Sequence, residues 1–297
     1  METRPFGKTG MEVGVLGFGT SEIGYGSASQ VEIDQILNEA LDSGLNVIDT
    51  AECYVDSEEK IGKAVSHRRD EFFLFSKTGH SSGFSEPDWD IGMMELQIDR
   101  SLKRLKTDYL DLIQLHSCPL ELLKQGDVIE VLERARDSGK VRFIGSSGDN
   151  EAALFAVECG RFDALQTSCN IADQESIDLF LPMVKEKGMG VIVKRPIANA
   201  AWIKKQSPGE YGHEYRLRLE KLAYPFLNES NEVAIGKALN FALAQPGTCT
   251  AIVGTERPGR YQANLRSMKE NPISAEEVEA IRQRWMAVRE DDWVGRG

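Results

Sequence analysis

FFLFSKTG (72–79), then Ile91, Met94, Ile98, Leu102 and Leu105, then LDLIQLHS (110–117) contain the repeating unit of the whole chain. The outer two pieces are short apolar runs of strand type, and the five residues between them fall on one face of a helix. A strand, a helix and a second strand joined in this way make a parallel pair with a crossover. Runs of the same kind stand at GVLGFGT (14–20), NVIDTA (46–51), VRFIGSSG (141–148), ALQTSCN (164–170), GVIVKRP (190–196) and CTAIVGT (249–255), giving eight in all. Between them, helical spacing recurs at Ile33, Ile36, Leu37, Ala40 and Leu41, and near 56–67, 126–138, 150–159, 176–187 and 232–245. The first of these opens on a capping box, Ser29 with Glu32, and stops at Gly44. The strand centres are almost continuously apolar, as when both faces of a sheet are covered. Eight such units close a barrel of about 250 residues, so the expected fold is a (β/α)8 TIM barrel of the α/β class.

Three features exceed the minimal barrel. Residues 1–13 read as a β-hairpin around Gly7, Lys8, Thr9 and Gly10, placed to plug the bottom. The stretch 198–231 is too long for an ordinary βα loop, and excursions of that length on a barrel usually cover a site. A C-terminal helix begins at Ser274, capped by Glu277, with Val278, Ile281, Trp285 and Val288 on one face. With no linker or low-complexity tract, residues 1–297 read as one domain.

The net charge of −12, from 35 basic and 47 acidic residues, repels nucleic acid and anionic lipid over most of the surface. No run of 18 apolar residues occurs and METRPFGKTG has no apolar block behind it, so the expected place is the cytoplasm, with no membrane segment. Five cysteines (Cys53, Cys118, Cys159, Cys169, Cys249), an odd number without a CxxC pair, fit reduced thiols and give no metal site.

In a barrel of this type chemistry sits at the C-terminal ends of the strands. There the sequence places Asp49, Lys77, His116, Ser146, Ser147, Gln166, Lys194 and Arg195, with Tyr54 five residues after Asp49. Each has an ordinary reading alone: a snorkelling lysine, a core histidine, a capping acid, a packing tyrosine. Together they do not, because a lysine and an aspartate at adjacent strand ends must pair or both bear a large desolvation cost. Tyr54 placed over Lys77 is then expected to have its phenol pKa lowered from about 10, making it a general acid near neutral pH. His116 would bond the same oxygen, a set suited to carbonyl reduction, where negative charge develops on one oxygen.

These residues resemble those of the aldo-keto reductase family. NVIDTAECYVDSEEKIGKAV (46–65) is similar to the family's Asp-Thr-Ala-x-x-Tyr signature, and SLKRLKTDYLDLIQLH (101–116) to its Leu-Asp-x-x-x-x-His segment. The resemblance covers nearly the whole chain and implies a catalytic tetrad of Asp49, Tyr54, Lys77 and His116. It also implies NADPH extended across the barrel mouth, with NADH the alternative, and an aldehyde or ketone as substrate. Ser147 and Gln166 would hold the nicotinamide amide, Thr255 and Arg260 the 2′-phosphate, and Asn264 the adenine; Gly19, Thr20, Asp49, Lys194, Arg195 and Gly254 complete the implied contacts. The chain departs from the family at Gly148, where Asn is common, and at Lys194, where many members stack an aromatic ring, so that Lys194 and Arg195 are candidates to meet the pyrophosphate instead. Gly254 replaces a basic residue, Glu256 adds an acid, and Val55 replaces a usual Gly.

Gly17 to Gly19 lacks the third glycine and helix of a dinucleotide fingerprint and reads as a close-approach loop. Cys53 reads as a packed spectator more readily than as a reactive thiol. Phe18, Trp89 and Trp202 fall in expected top-face loops and are candidate substrate walls, which would favour apolar carbonyl compounds. Two competing functions remain: a nicotinamide-binding redox sensor or regulatory subunit with weak catalysis, and an aldolase or isomerase using Lys77 as a Schiff base.

Overall fold

The computed structural model describes residues 1–203, 207–210 and 212–295. A hairpin of β1 (Thr3–Pro5) and β2 (Glu12–Gly14) precedes eight parallel strands closed into a barrel. They are β3 (Leu16–Gly19), β4 (Val47–Asp49), β5 (Phe73–Thr78), β6 (Leu110–His116), β7 (Val141–Ser147), β8 (Ala164–Ser168), β9 (Gly190–Lys194) and β10 (Thr248–Val253). Each neighbours the next in sequence, and β10 closes the cylinder on β3 through Ala251 against Leu16. All eight runs expected from the sequence are strands of this barrel. Their residues are buried almost throughout because the barrel interior lies on one face and the helical ring on the other.

The hairpin sits at the N-terminal mouth. Phe6 is wholly buried, its ring stacked on Phe75 of β5 at 5.5 Å, and it also lies against Gly190, the first residue of β9. β5 and β9 stand opposite each other in the ring of strands, so one side chain reaches both walls. A Cβ on Gly190 would come within 2.6 Å of the Phe6 ring, which is why that strand starts on glycine.

The capping boxes at Ser29/Glu32 and Ser274/Glu277 are both formed, opening helices Gln30–Asp42 and Ala275–Val288. One helical reading is corrected, and two helices stand where the sequence offered none. The pattern at 176–187 is two helices, Glu175–Leu179 and Leu181–Lys187, because Phe180 leaves helical geometry (φ −149°) just before Pro182. The excursion at 198–231 carries a ten-residue helix, His213–Leu222, as well as short turns at Ala198–Ala200 and Pro225–Asn228; residues 204–206 and 211 of it lie outside the described residues. A further helix, Leu120–Gln125, follows β6. No helix among the described residues is long and apolar enough to cross a membrane.

Between the helices Ser57–Val65 and Ile91–Leu105 lies a buried charged cluster. Glu52 receives Arg100 and Arg104, and Ser76 Oγ donates to Glu58 at 2.7 Å. Burial pushes the Glu58 carboxyl up to about 7, and Asp173, buried beside Tyr215, likewise to about 7. Between an unfolded value of about 4.3 and that folded value, the native protein keeps the proton that the unfolded chain has released. Stability therefore falls as pH rises through this window, by at most about 1.4 kcal/mol per pH unit for each such group. Glu58→Gln is expected to shrink the difference in thermal midpoint between pH 5 and pH 8; an unchanged difference would show that Glu58 is ionised throughout.

Candidate active site

The strand ends bring the sequence's candidates to one face. Asp49 ends β4, Lys77 stands one residue before the end of β5, His116 ends β6 and Ser147 ends β7. Gln166 lies in the middle of β8 and Lys194 ends β9. Tyr54 is held in the turn after β4, where its N–H bonds the Ala51 carbonyl at 3.0 Å and its carbonyl accepts from Ser57 N–H at 2.8 Å. The next residue, Val55, has φ of 45°. A β-branched side chain is strained there, which accounts for the glycine that is usual at this point.

Lys77 and Asp49 are paired and buried, at 1% and 2% exposure. Lys77 Nζ donates to Asp49 Oδ1 and to the Thr50 carbonyl at 2.7 Å. The other carboxylate oxygen accepts from Gln166 Nε2 at 2.8 Å and Gln114 Nε2 at 3.2 Å. An ammonium so committed is a poor Schiff-base nucleophile, which removes the geometric basis for the aldolase reading. The ammonium lies 5.4 Å from the centre of the Tyr54 ring, and that ring meets His116 edge-on at 5.5 Å.

The expectation that Lys77 lowers the Tyr54 pKa is overturned. Burial, followed by the negative charge of Asp49, holds the phenol well above its ordinary value. Lys77 is already balanced by Asp49, so it offers little net field to the hydroxyl. His116 is held well below its ordinary value by burial and by Lys77, and is neutral at pH 7. The pair thus presents a protonated phenol beside an uncharged imidazole.

These groups open into a cleft of about 400 Å³ lined by Gly19, Thr20, Asp49, Tyr54, His116, Ser147, Gln166, Lys194, Arg195 and Gly254, among others. A second hollow, of about 610 Å³, holds Thr255, Arg260 and Asn264 and shares Glu22, Ile197, Ala200, Val253 and Gly254 with the first. Gly19 and Gly254 lie side by side where the hollows meet, and the Glu22 carboxylate lies over Gly254. Asn264 is almost fully buried, whereas Arg260 is exposed at the start of helix Arg260–Glu270. Ser147 Oγ donates to Gln166 Oε1 at 3.2 Å.

Lys194 differs from expectation. Its ammonium pairs with Asp149 at 3.0 Å, and Asp149 also accepts from Thr167 Oγ1 and the Ser168 N–H, so the charge available to an anion is largely cancelled. Arg195 donates to Ser168 Oγ at 3.1 Å.

Of the aromatic walls, Phe18 is a correction: it is wholly buried in β3, tilted against Tyr261, and faces no cleft. Trp202 is also displaced, lining a separate hollow with Arg216, Leu219 and Tyr224. Trp89 approaches the site indirectly, edge-on to His80 at 5.6 Å, and His80 in turn lies 5.0 Å from His116. With those rings elsewhere, the cleft around Tyr54 is lined instead by Ser21, Glu22, Ser117 and Asn199.

Sequence reasoning passed over His80, Asp149, Glu22, Asn199 and Arg257. His80 was within reach of it, three residues after Lys77 in SKTGH, with Asp88 as its partner at 2.9 Å. Asn199 had no signal. It sits in a run, Ala198 to Ala200, whose φ angles are all near 50°, a left-handed turn that costs roughly 1–2 kcal/mol per non-glycine residue.

Comparison with known proteins agrees with this geometry. The aldo/keto reductase family matches residues 15–285, and the chain belongs to that family of oxidoreductases, whose members reduce carbonyl groups with nicotinamide cofactors. It is 29% identical to L-galactose dehydrogenase of Arabidopsis thaliana, over 95% of this chain and 94% of that one. It is also 29% identical to NADH-specific methylglyoxal reductase of Escherichia coli, over 66% of this chain and 68% of that one. Among solved structures, the holo form of an aldo-keto reductase from Bacillus halodurans superposes with a TM-score of 0.81 at 25% identity, covering 99% of each chain.

Proposed function

We propose that this protein reduces a small hydroxylated aldehyde or ketone to the alcohol, with NADPH as hydride donor and Tyr54 as proton donor. The observation that carries the reading is the buried Lys77–Asp49 pair beneath a protonated Tyr54 that is packed edge-on against a neutral His116. A bound nicotinamide cofactor supplies the hydride to the carbonyl carbon. The phenol hydrogen of Tyr54 passes to the carbonyl oxygen, leaving a tyrosinate whose ring centre lies 5.4 Å from the Lys77 ammonium. His116 orients that oxygen, while Asp49 keeps Lys77 in place.

The residues fit the cofactor. A cofactor extended between the two hollows would run past Gly19, Thr20 and Gly254, with the Glu22 carboxylate, which lies over Gly254, turned aside. Ser147 and Gln166 would hold the carboxamide, Asn264 the adenine, and Thr255 with Arg260 the 2′-phosphate; Arg257 adds a second guanidinium at that end. Glu256 Oε2 accepts from the Ser27 N–H at 2.9 Å and lines the same hollow, so the preference for NADPH over NADH rests on Arg257 and Arg260. Polar groups around Tyr54 in place of the displaced aromatic rings favour a hydroxylated substrate, as does likeness to a protein named for L-galactose.

Titration with NADPH and NADH by quenching of tryptophan fluorescence tests this directly. Arg260→Ala is expected to weaken NADPH at least tenfold and leave NADH unchanged; equal loss for both would remove the 2′-phosphate assignment. Tight cofactor binding without turnover of any of a panel of hydroxylated and apolar aldehydes would replace the reductase reading by the sensor one.

A further inference from the structure

Cys53, adjacent to the proposed proton donor, reaches the imidazole behind it. Its Sγ lies 3.3 Å from His116 Nδ1, and this is the one hydrogen-bond contact to either ring nitrogen among the described residues. The ring is fixed on its other sides by the edge-on contacts of Tyr54 and His80, at 5.5 and 5.0 Å. A ring flip would put carbon where Nδ1 now meets the thiol.

A neutral imidazole has one N–H and one lone pair, and the partner of one nitrogen decides the role of the other. Lys77, His80, Lys194 and Arg195 face this ring from the surrounding elements and keep it uncharged, and burial pushes the Cys53 thiol up to about 11, so it carries its hydrogen. A thiol hydrogen aimed at Nδ1 uses that nitrogen's lone pair and leaves the hydrogen on Nε2. The opposite tautomer would turn a lone pair at Nε2 toward the lone pairs of a carbonyl oxygen.

We propose that Cys53 is a positioning residue that sets the tautomer of His116, donating its S–H to Nδ1 so that Nε2–H faces the substrate oxygen. The inference rests on the carbonyl-reduction reading for its purpose, and its test does not depend on turnover. Nitrogen-15 NMR of histidine-labelled protein, with His116 assigned by its loss in His116→Asn, reports which ring nitrogen is protonated. In the native protein at pH 7.5 the expected state is neutral, with Nε2 protonated and Nδ1 bare. Cys53→Ser, which retains a donor, should preserve that state, and Cys53→Ala should give a mixture of the two tautomers. For the best aldehyde, Cys53→Ala is expected to lower kcat/KM about tenfold with cofactor affinity unchanged, and Cys53→Ser to recover most of the loss. Protonated Nδ1 in the native protein, or a native tautomer in Cys53→Ala, overturns the proposal. If Cys53→Ala does not fold, Cys53→Val, which fills the space without a donor, makes the same comparison. A protein that turns over no carbonyl yet shows this tautomer pattern would sink the reductase reading and leave the contact standing.

Discussion

Tyr54→Phe is expected to lower kcat by about 10²–10⁴, the usual contribution of a general acid, while cofactor affinity stays within twofold. The aromatic ring remains, so its contacts with the Lys77 ammonium and the His116 edge remain too, and only the transferable hydrogen is lost. Because the phenol is held above its ordinary value, the acid form persists through the neutral and mildly alkaline range. The rate of carbonyl reduction should therefore stay level to about pH 9, with loss confined to higher pH. A rate falling from near neutrality would show that Lys77 does depress the phenol. A Tyr54→Phe protein retaining a tenth of the native rate would show that another group gives the proton.

Lys77→Met has the larger structural consequence. It removes the cation from a carboxylate that is almost completely buried and leaves Asp49 with the amides of Gln114 and Gln166. Breaking one side of such a pair costs about 3–5 kcal/mol, on the order of 10 °C in thermal midpoint for a protein of this size. Adding Asp49→Asn should recover much of that stability, because the orphaned charge is gone, without restoring turnover. A single variant melting within a degree of the native protein would mean that Asp49 takes up a proton or water at little cost, and the pair would lose its structural role.

The barrel was legible because a parallel strand covered on both faces leaves a short apolar run, and four of the eight runs carry Asp49, Lys77, His116 and Lys194 at or next to the strand end. Asp49, Lys77 and His116 converge for the same reason, since strand ends on one cylinder share one rim. What escaped depends on partners distant in sequence. Nothing around Lys194 announces Asp149, and that pairing is made by the meeting of β7's following loop with the end of β9. The sign of the Tyr54 shift needed the depth of the phenol and the prior engagement of Lys77, neither of which spacing conveys. GFGT reads as a loop, yet Phe18 belongs to β3 and shares a face of the strand with Leu16. The helix His213–Leu222 has polar and charged residues at most of its positions, so its apolar stripe, Tyr215, Leu219 and Leu222, is thin.

Phe6 precedes in sequence both walls it bridges, at Phe75 and Gly190, so those walls are completed later in synthesis. The hairpin segment must therefore wait, unseated, until β9 has emerged, and the contact it finally makes is remote in sequence. Assembly of the cylinder and docking of its base are in this way a late joint event, and a bulky fusion at the first residue would burden that step more than the chemistry at the opposite end.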